Sequence, residues 1–589
     1  VDVRTGSYST SINLAGWVAN NINGPLIPFS ISFDSFRTTD VGWGRGWSLG
    51  LSSYNRKTRK LTLASGVSYR VYISKGQLIV RDKKLQDTRV TLDGDNLVVS
   101  HKNGLVERLV RPDETYDEWL PEHVFSNEGR SINLKYMWVR GRRVLHEIHD
   151  QQHRVVALSH ETNDQPASIT VWPDHPPRRL KFGLRVRDGW LRQITLDHGS
   201  AEHLAWSFDY QLLNGFLVMT DVRAPGGSVE RIEYAPQQHR LPLGAPINAL
   251  PAVRRSVLVP GTGLPTITRV YEYSDKNFLG YQSGLRWAQD GDHLHGHKGS
   301  YTYSCSERLV SGVGDKTVEL SRIERTFNRF HLMISEKSVS NGKVQQKTIT
   351  YHDVDGLDFY DQPAHFQLQK TSVVSYVDTF TNASRRTETT HTTFDEFGNL
   401  LTQINPSGAR EDYVYYPAEG AEGCPANPLG FVTALKERSV TPSPDFAPAP
   451  TVIVRFSYID LPSMREGGHR FLLPQSERLF EGGSNQPCVD TRFEYIDDAS
   501  DAFYGRLKSR SQAEHSGHRR LEFKYSIEGD WVKTLQQLYV GGERHDRDAD
   551  RAGHADGGRR RALVFQEEVT AELPAGCHRA QLHQLASAF

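Results

Sequence analysis

Hydrophobic and polar residues alternate with a period of two along most of this chain. The alternation is clearest in Val270-Tyr271-Glu272-Tyr273, Tyr301-Thr302-Tyr303, Ile349-Thr350-Tyr351 and Leu521-Glu522-Phe523-Lys524-Tyr525. This period places apolar side chains on one face of a β-strand. The pairs Asn103-Gly104 and Asn341-Gly342 stand between such runs and are typical of tight hairpin turns. The pattern predicts an all-β protein with a mostly antiparallel sheet.

One segment combines these signals and recurs in weaker form elsewhere. It begins Phe394-Asp395-Glu396-Phe397-Gly398-Asn399-Leu400, ends on Tyr415-Tyr416, and predicts strand, turn, strand, turn, strand. A turn glycine precedes an aromatic residue by seven positions at Gly129/Tyr136, Gly199/Trp206, Gly227/Tyr234 and Gly408/Tyr415. Two of these copies also place a proline, Pro225 or Pro406, nine residues before the tyrosine. A repeat of about twenty residues buries its apolar face only against its neighbours, so we expect stacked hairpins.

A glycine- and tryptophan-rich motif lies near the N-terminus, after an apolar strand predicted from Leu26 to Phe33. It reads Asp40-Val41-Gly42-Trp43-Gly44-Arg45-Gly46-Trp47-Ser48-Leu49. The three glycines between tryptophans predict a backbone that passes close beneath large rings. In the repeat segment, Asp395 and Asn399 are interpreted as turn residues whose side chains bond to the local backbone.

Changes in composition divide the chain into three parts. Residues 1–65 form an N-terminal segment with the glycine and tryptophan motif, residues 66–540 form the hairpin-repeat region, and residues 541–589 form an irregular, charged tail. The tail has few aromatic residues, which predicts disorder or a shifted reading frame. Proline clusters at Pro242 to Pro265 and Pro442 to Pro450 are predicted to be long surface loops.

Charge and hydropathy exclude several classes of protein. Lysine plus arginine equals aspartate plus glutamate at 70 each, which argues against nucleic-acid binding. No apolar run reaches the roughly 18 residues of a membrane helix, and no signal peptide is evident. The four cysteines are too far apart in sequence for a Cys-x-x-Cys pair, so neither a disulfide scaffold nor structural zinc is expected. The chain opens in mid-pattern at Asp2-Val3-Arg4-Thr5-Gly6, so we expect a true start upstream.

Candidate enzyme sites are weak. Gly46-Trp47-Ser48-Leu49-Gly50 matches the nucleophile elbow of serine hydrolases, but the residues that follow predict strand and turn instead of the required helix. No dinucleotide-binding or P-loop motif is present. His293, His295 and His297, beside Asp290 and Asp292, could ligate a metal on a strand, although nearby glycines favour a solvated loop. Acidic residues near Trp119 cannot be paired as a glycosidase site from sequence, namely Asp113, Glu114, Asp117 and Glu118. No cofactor is expected.

Three motifs in this order, Asp2 to Gly6, Gly42 to Trp47 and Phe394 to Leu400, resemble bacterial RHS/YD-repeat proteins. These are relatives of the Tc insecticidal toxin shells and of polymorphic toxins. The resemblance implies a long antiparallel sheet of YD-type hairpins that curls into a hollow shell around a C-terminal toxin domain. It further implies delivery to a target cell after secretion by a specialised route, from the cytoplasm, without a signal peptide. Relatives cleave themselves after a core motif that begins with Asp-Pro. This chain contains no Asp-Pro, so no self-cleavage is expected.

Size limits what such a shell could hold. If half of the first 540 residues are strand, the sheet covers roughly 4,400 Å², which closes into a sphere of about 19 Å radius with about 14 Å left inside. A domain of 100 residues needs about 17 Å. We therefore expect a partial shell, completed by a downstream shell segment or a partner toxin subunit, with a downstream toxin domain as a further partner. Open sheet edges predict association of the isolated chain, which sedimentation would test.

These observations predict a non-catalytic shell segment. The alternative is a β-rich module that binds carbohydrate on a target-cell surface through an outward groove rimmed by Trp43 or Trp119. A hydrolase that uses Ser48 is the third hypothesis, and unchanged activity in Ser48→Ala would contradict it.

Overall fold

The structure is a computed structural model. It describes residues 1–22, 24–37, 40, 42–74, 76–151, 153–160, 167–197, 204–288, 291–312, 317–378, 383–446, 449–465, 467–514, 517–528, 531–540, 543–545 and 568–570.

β-Strands are the main regular secondary structure of the described residues. The first part of the chain contains β1 (Ser9–Val18), β2 (Leu26–Asp34), β3 (Trp47–Ser48), β4 (Ser53–Asn55), β5 (Lys60–Thr62), β6 (Ser68–Ser74), β7 (Gln77–Arg81), β8 (Thr88–Asp93), β9 (Asn96–His101), β10 (Val106–Val110), β11 (Glu118–Phe125), β12 (Ser131–Val139), β13 (Arg142–His149), β14 (Arg154–Ser159), β15 (Ala167–Val171), β16 (Leu180–Arg187), β17 (Trp190–Asp197), β18 (Leu204–Leu213), β19 (Phe216–Arg223), β20 (Val229–Arg240), β21 (Ala249–Val259) and β22 (Ile267–Tyr273).

The second part continues in the same style. It contains β23 (Thr302–Ser311), β24 (Val318–Asn328), β25 (Met333–Ser340), β26 (Lys343–Tyr351), β27 (Gln369–Asp378), β28 (Ala383–Phe394), β29 (Leu400–Ile404), β30 (Arg410–Tyr415), β31 (Leu435–Thr441), β32 (Val452–Pro462), β33 (Arg470–Glu481), β34 (Val489–Tyr495), β35 (Leu507–Glu514), β36 (Gly517–Glu528), β37 (Trp531–Val540), β38 (Glu543–His545) and β39 (Glu568–Thr570). Helical structure in the described residues is limited to α1 (Ala19–Ile22) and the 3₁₀ turns Pro176–Arg178, His293–Gly296 and Pro444–Phe446.

Strand pairing confirms the predicted all-β fold and the antiparallel sheet. Each strand from β8 to β37 pairs with the next in the chain, so one antiparallel ladder continues without interruption, and β37 also pairs with β38 and β39. The short strands β4 to β7 form a hairpin series at its start, where β4 pairs with β11 through Tyr54 and Trp119. The remaining strands β1, β2 and β3 form a separate three-stranded N-terminal sheet.

The predicted turns are present where the sequence placed them. Asn341 and Gly342 both have positive φ, at 48° and 70°, and form a two-residue hairpin between β25 and β26. The repeat segment forms β28, β29 and β30 with two turns. One loop prediction is wrong, because Pro242 to Pro265 contains strand β21. The ladder accommodates Pro251 opposite a bulge between Ala235 and His239, where no backbone amide is required.

The sheet turns back on itself as a spiral. Arg89 donates to the Gly430 carbonyl at 2.8 Å, Lys102 to the Phe397 carbonyl at 3.0 Å and Arg130 to the Ala502 carbonyl at 2.8 Å, across 341, 295 and 372 residues of sequence. Each contact joins the hairpins around β8 to β12 to the loops between β28 and β35. We call this line of contacts the seam. It shows that one turn of the sheet is stacked on the turn before it.

Candidate functional site

The N-terminal motif fixes the N-terminal sheet to the long sheet through close backbone packing. Gly42, Gly44 and Gly46 all have positive φ, between 90° and 110°. A side chain at Gly46 would lie 2.5 Å from the Phe33 ring, and one at Gly44 would lie 2.9 Å from the backbone of Gly189 and Leu191. The backbone at Gly46 therefore passes close beneath the Phe33 ring, as predicted. Gly44 and Gly42 allow the motif to contact the long sheet itself.

Both tryptophans of the motif are fully buried. The Trp43 ring stacks on His160 at 6.1 Å between centroids, and Trp47 donates its indole N–H to the Tyr210 hydroxyl at 3.0 Å. With β1 and β2 they form one hydrophobic core against strands β12 to β22. The N-terminal sheet therefore covers one face of that part of the long sheet.

The turn at Asp395 to Asn399 is locked by its own side chains. Asp395 Oδ1 accepts from the amides of Phe397 and Asn399 at 2.9 and 2.8 Å, and Gly398 takes a φ of 75°. The Asn399 side-chain amide donates to Asp395 Oδ2 at 2.8 Å and to the Val432 carbonyl at 2.9 Å. Lys102 reaches the Asn399 side-chain oxygen across the seam. The turn role predicted for Asp395 and Asn399 is confirmed, and the same turn holds the seam.

The glycines of the repeat share one turn geometry. In each turn, the glycine amide donates to the carbonyl of the residue three positions earlier, and the amide of that earlier residue donates to the carbonyl of the residue after the glycine. This pair of hydrogen bonds closes the turns that contain Gly104, Gly129, Gly227, Gly398 and Gly408. The glycine has positive φ in every case. This is a type I turn closed by a left-handed residue, for which glycine is the least strained choice.

The tyrosines of the repeat mark bulges in the ladder. Tyr136, Tyr234 and Tyr415 each stand where the register to the next strand shifts. Tyr136 and Tyr234 donate their hydroxyls to carbonyls of the preceding strand, Pro121 at 2.8 Å and Met219 at 2.7 Å. Burial raises the pKa of both phenols far above the usual value, so both remain neutral donors. Trp206 pairs regularly with Ile194 and does not share this role, and Gly199 lies outside the described residues.

Sequence spacing missed further tyrosines with the same function. Hydroxyl donation to a carbonyl in the preceding strand recurs at 3.0 Å or less at Tyr210, Tyr273, Tyr351, Tyr495 and Tyr525. The signal that would have found them is an apolar or aromatic residue two positions before the tyrosine, as in Phe493-Glu494-Tyr495 and Phe523-Lys524-Tyr525. The glycine seven residues earlier is the less general part of the repeat.

The covering layer ends partway along the long sheet. We call the side that carries Tyr234, Tyr271 and Tyr303 the core face. In β14 and β15 half or more of the residues are buried, whereas β25, β27, β29, β30, β31 and β32 contain no buried residue. The register places half-exposed aromatic side chains on the core face of these later strands and their neighbours, at Tyr376, Tyr413, Phe456, Phe493 and Phe523.

Paired charges lie among these aromatic side chains. Glu307 contacts Arg269 at 3.2 Å and Arg325 at 3.5 Å, and Arg325 contacts Glu336 at 2.7 Å, so opposite charges alternate across four strands. Farther along, Glu411 accepts from Tyr413 and pairs with Arg438, both at 2.7 Å. The hydrogen bond from Tyr413 and the Arg438 guanidinium hold the pKa of Glu411 below its usual range. This surface therefore combines aromatic side chains with ion pairs and differs from the apolar core beneath the N-terminal sheet.

The candidate enzyme and metal residues lie on different elements of the structure. The Ser48 hydroxyl lies next to Ser32 at 3.3 Å and Arg37, and no helix follows it. His293 and His295 lie in a 3₁₀ turn and His297 contacts the Gly299 carbonyl at 3.0 Å, so these residues form a loop and not a strand. The predicted solvation is wrong at His295, whose side chain is 15% exposed and stacks on Phe359 at 3.8 Å between ring centroids. No metal-binding group of histidine, cysteine, aspartate or glutamate occurs in the described part of the chain, and Asp290 lies outside it.

The groove proposed for carbohydrate is not formed by the tryptophans predicted to rim it. Trp43 is 0% exposed and Trp119 is 3% exposed, the latter packed in a small core with Tyr54. Of the acidic residues near Trp119, Asp117 pairs with Lys57 at 2.8 Å, and Asp113 caps its own turn through the Thr115 amide at 2.8 Å. Within the described residues, no helix is long and apolar enough to cross a membrane.

Comparison with known proteins gives weak structural likenesses only. No protein-family model matches the chain, and no curated protein matches its sequence. Among solved structures it is similar to the TcdB2-TccC3-Cdc42 crystal structure, with 11% identity, a TM-score of 0.23, and coverage of 93% of this chain and 44% of that chain. The TcdB2-TccC3 crystal structure gives 10% identity and a TM-score of 0.24, with the same coverage. A Tc holotoxin pore structure from Photorhabdus luminescens gives 10% identity and a TM-score of 0.23, with coverage of 91% of this chain and 42% of that chain. The chain spans less than half the length of these structures, and the assignment of the fold depends on the strand pairing described above.

Proposed function

We propose that this chain is a non-catalytic wall segment of a hollow β-shell that encloses a polypeptide toxin for delivery to a target cell. The observation that carries the proposal is the core face, which the N-terminal sheet covers along β12 to β22 and leaves uncovered along β25, β27 and β29 to β32. The stacked turns joined at the seam are the expected construction of a closed wall.

The chemistry of the uncovered face supports a polypeptide occupant. Phe456 and Phe493 provide apolar contact area, and Glu411 with Arg438 provides polar groups whose charges are already balanced. A surface of this kind contacts many sequences weakly and selects no single ligand. The occupant would come from a downstream toxin domain, and a further shell segment or a partner toxin subunit would complete the enclosure. The shell would be secreted and would act outside the cell that produces it.

Electron microscopy of the full product of the locus tests the enclosure. We expect a hollow particle with a β-sheet wall and internal density, together with an internal fragment that resists protease. A solid particle, or a fragment digested as fast as free chain, would contradict the proposal.

Matched charge substitutions test which face touches the cargo. Phe456→Glu with Phe493→Glu changes the core face, whereas Arg455→Glu with Arg492→Glu changes the opposite face of the same strands. We expect the first pair to reduce protection of the internal fragment several-fold and the second pair to leave it unchanged, provided that circular dichroism shows both proteins folded. Equal protection in both variants would exclude contact between the core face and the cargo.

A further inference from the structure

The N-terminal segment, residues 1–50, contacts two buried histidines of the long sheet, His239 through residues 5–6 and His160 through Gly42 and Trp43. His239 in β20 is 1% exposed, and its ring packs edge-on against Tyr273 at 4.8 Å and Phe278 at 5.3 Å between centroids. Neither ring nitrogen has a hydrogen-bond partner of good geometry among the described residues. The N-terminal segment closes over this position, where the Val253 amide donates to the Gly6 carbonyl at 2.8 Å.

The second histidine lies beneath the glycine and tryptophan motif. His160 is 6% exposed and stacks on the Trp43 ring, and a side chain added at Gly42 would come 2.9 Å from its Nδ1. Its Nε2 contacts the Leu145 carbonyl at 3.0 Å, whereas Nδ1 has no partner in the described part of the chain. Both histidines therefore support the contact between residues 1–50 and the long sheet.

The charged groups around His239 are already engaged elsewhere. Asp2 accepts from the amides of Arg4 and Thr5 at 2.9 Å, and Arg4 is directed toward Tyr303. On its own strand, Arg240 is directed to Tyr281 at 3.4 Å. Burial lowers the pKa of His239 to about 4, although contact with the Thr5 backbone opposes this shift.

The charged groups around His160 are likewise engaged in other contacts. Asp40 accepts from the amides of Gly42 and Gly44 at 2.8 and 3.0 Å, and Glu147 pairs with His149 and Arg154 at 2.7 and 3.0 Å. The neighbouring titratable group His146 contacts the Leu158 carbonyl at 2.9 Å and repels a second positive charge. Burial lowers the pKa of His160. No carboxylate is free to stabilise a cation at either ring in the described residues.

We infer that the N-terminal sheet is an acid-released cover, held closed by neutral His239 and His160 and opened when these rings take up protons. Opening exposes the rings to water, so the open state binds more protons than the closed state. The stability that each histidine contributes is present above its exposed pKa, about 6.5, and is lost as the pH falls below that value. Opening would extend the uncovered core face from β25 back to β12. The inference is independent of whether the shell holds a cargo.

Hydrogen exchange, normalised to the intrinsic rate at each pH, tests this in the full chain. Between pH 7.5 and pH 5 we expect the opening constant for β1 and β2 to rise about 30-fold from His239 alone, by proton linkage. In the variant His239→Phe, whose ring keeps the contacts with Tyr273 and Phe278 but cannot be protonated, the rise should fall at least tenfold short of that in the wild type. The exposed His391 in β28 supplies the control His391→Gln, which should behave as wild type.

Two results would overturn the inference. One is no selective rise for β1 and β2 in the wild type when compared with β13 to β16. The other is an undiminished rise in His239→Phe, or in His239→Gln should the phenylalanine variant fail to fold.

Discussion

At the residue scale, short polar side chains and glycines provide the hydrogen bonds and the positive φ angles that the local turns need, as the sequence indicates. Asp395 satisfies two amides of its own turn, and Asn399 connects that turn to Val432 and to Lys102 across the seam. The tyrosines act similarly beside bulges, where Tyr234 donates its hydroxyl to the Met219 carbonyl of the preceding strand.

Replacing Asn399 tests this residue-scale role. Because Asn399→Ala leaves the Val432 carbonyl and one Asp395 oxygen without their donor, we expect the free energy of unfolding to fall by about 1–3 kcal/mol. Urea denaturation followed by circular dichroism measures the change. Asp445→Ala, at an exposed position in the turn after β31, is the control and should change stability by less than about 0.5 kcal/mol. Equal losses of unfolding free energy in both variants would show that Asn399 does not stabilise the seam.

At the element scale, hairpins with the same turn differ in what surrounds them. Gly129 and Gly227 occupy the same position in the same turn, with φ of 89° and 83°. A side chain at Gly227 would meet nothing within 4 Å, whereas one at Gly129 would collide with Ser463 and lie 2.5 Å from the Arg465 amide nitrogen. Of these two hairpins, only the one that contains Gly129 faces the seam.

This pair of glycines separates backbone strain from stacking of the spiral. Gly227→Ala should cost about 1–2 kcal/mol, the strain of a left-handed alanine. Gly129→Ala carries the same strain and also displaces the loop at Ser463, so we expect a further cost of about 1–3 kcal/mol. Thermal unfolding of both variants gives the comparison, and a larger loss in Gly227→Ala than in Gly129→Ala would contradict the seam.

At the scale of the whole molecule, the hydrophobic core is distributed unevenly. The largest cluster lies between the N-terminal sheet and β12 to β22, and the strands from β25 onward depend on pairing between strands, turns and small local clusters. Apolar burial is the dominant favourable contribution to folding, so the covered half should open at a higher free energy than the uncovered half.

Hydrogen exchange at increasing urea concentration tests that gradient. We expect amides of β13 to β16 to keep their protection to a higher urea concentration than amides of β27 to β32, because only the former strands lie beneath a second layer. A single transition shared by both groups would show that the ladder unfolds as one cooperative unit. If the proposed cargo is present, the difference should become smaller because the cargo supplies the missing layer.

The sequence by itself determined the local structure of this protein. Period-two alternation, Asn-Gly pairs and the Phe394 to Asn399 segment determine strands, turn types and antiparallel neighbours, since these depend on residues close in the chain. The proline cluster around Pro251 misled the prediction because a bulge, which depends on the partner strand, accommodates it.

Only the tertiary structure decided which residues meet across the spiral. Contacts such as Lys102 with Asn399 and Arg130 with Ala502 join residues separated by 297 and 372 positions, and no local pattern encodes such a distance. The same holds for burial of Trp43 and Trp119, which the sequence left open as surface residues. Whether a β-strand face is covered depends on what the rest of the chain places over it. That is why the uncovered core face, the basis of the proposed function, became visible only in the folded molecule.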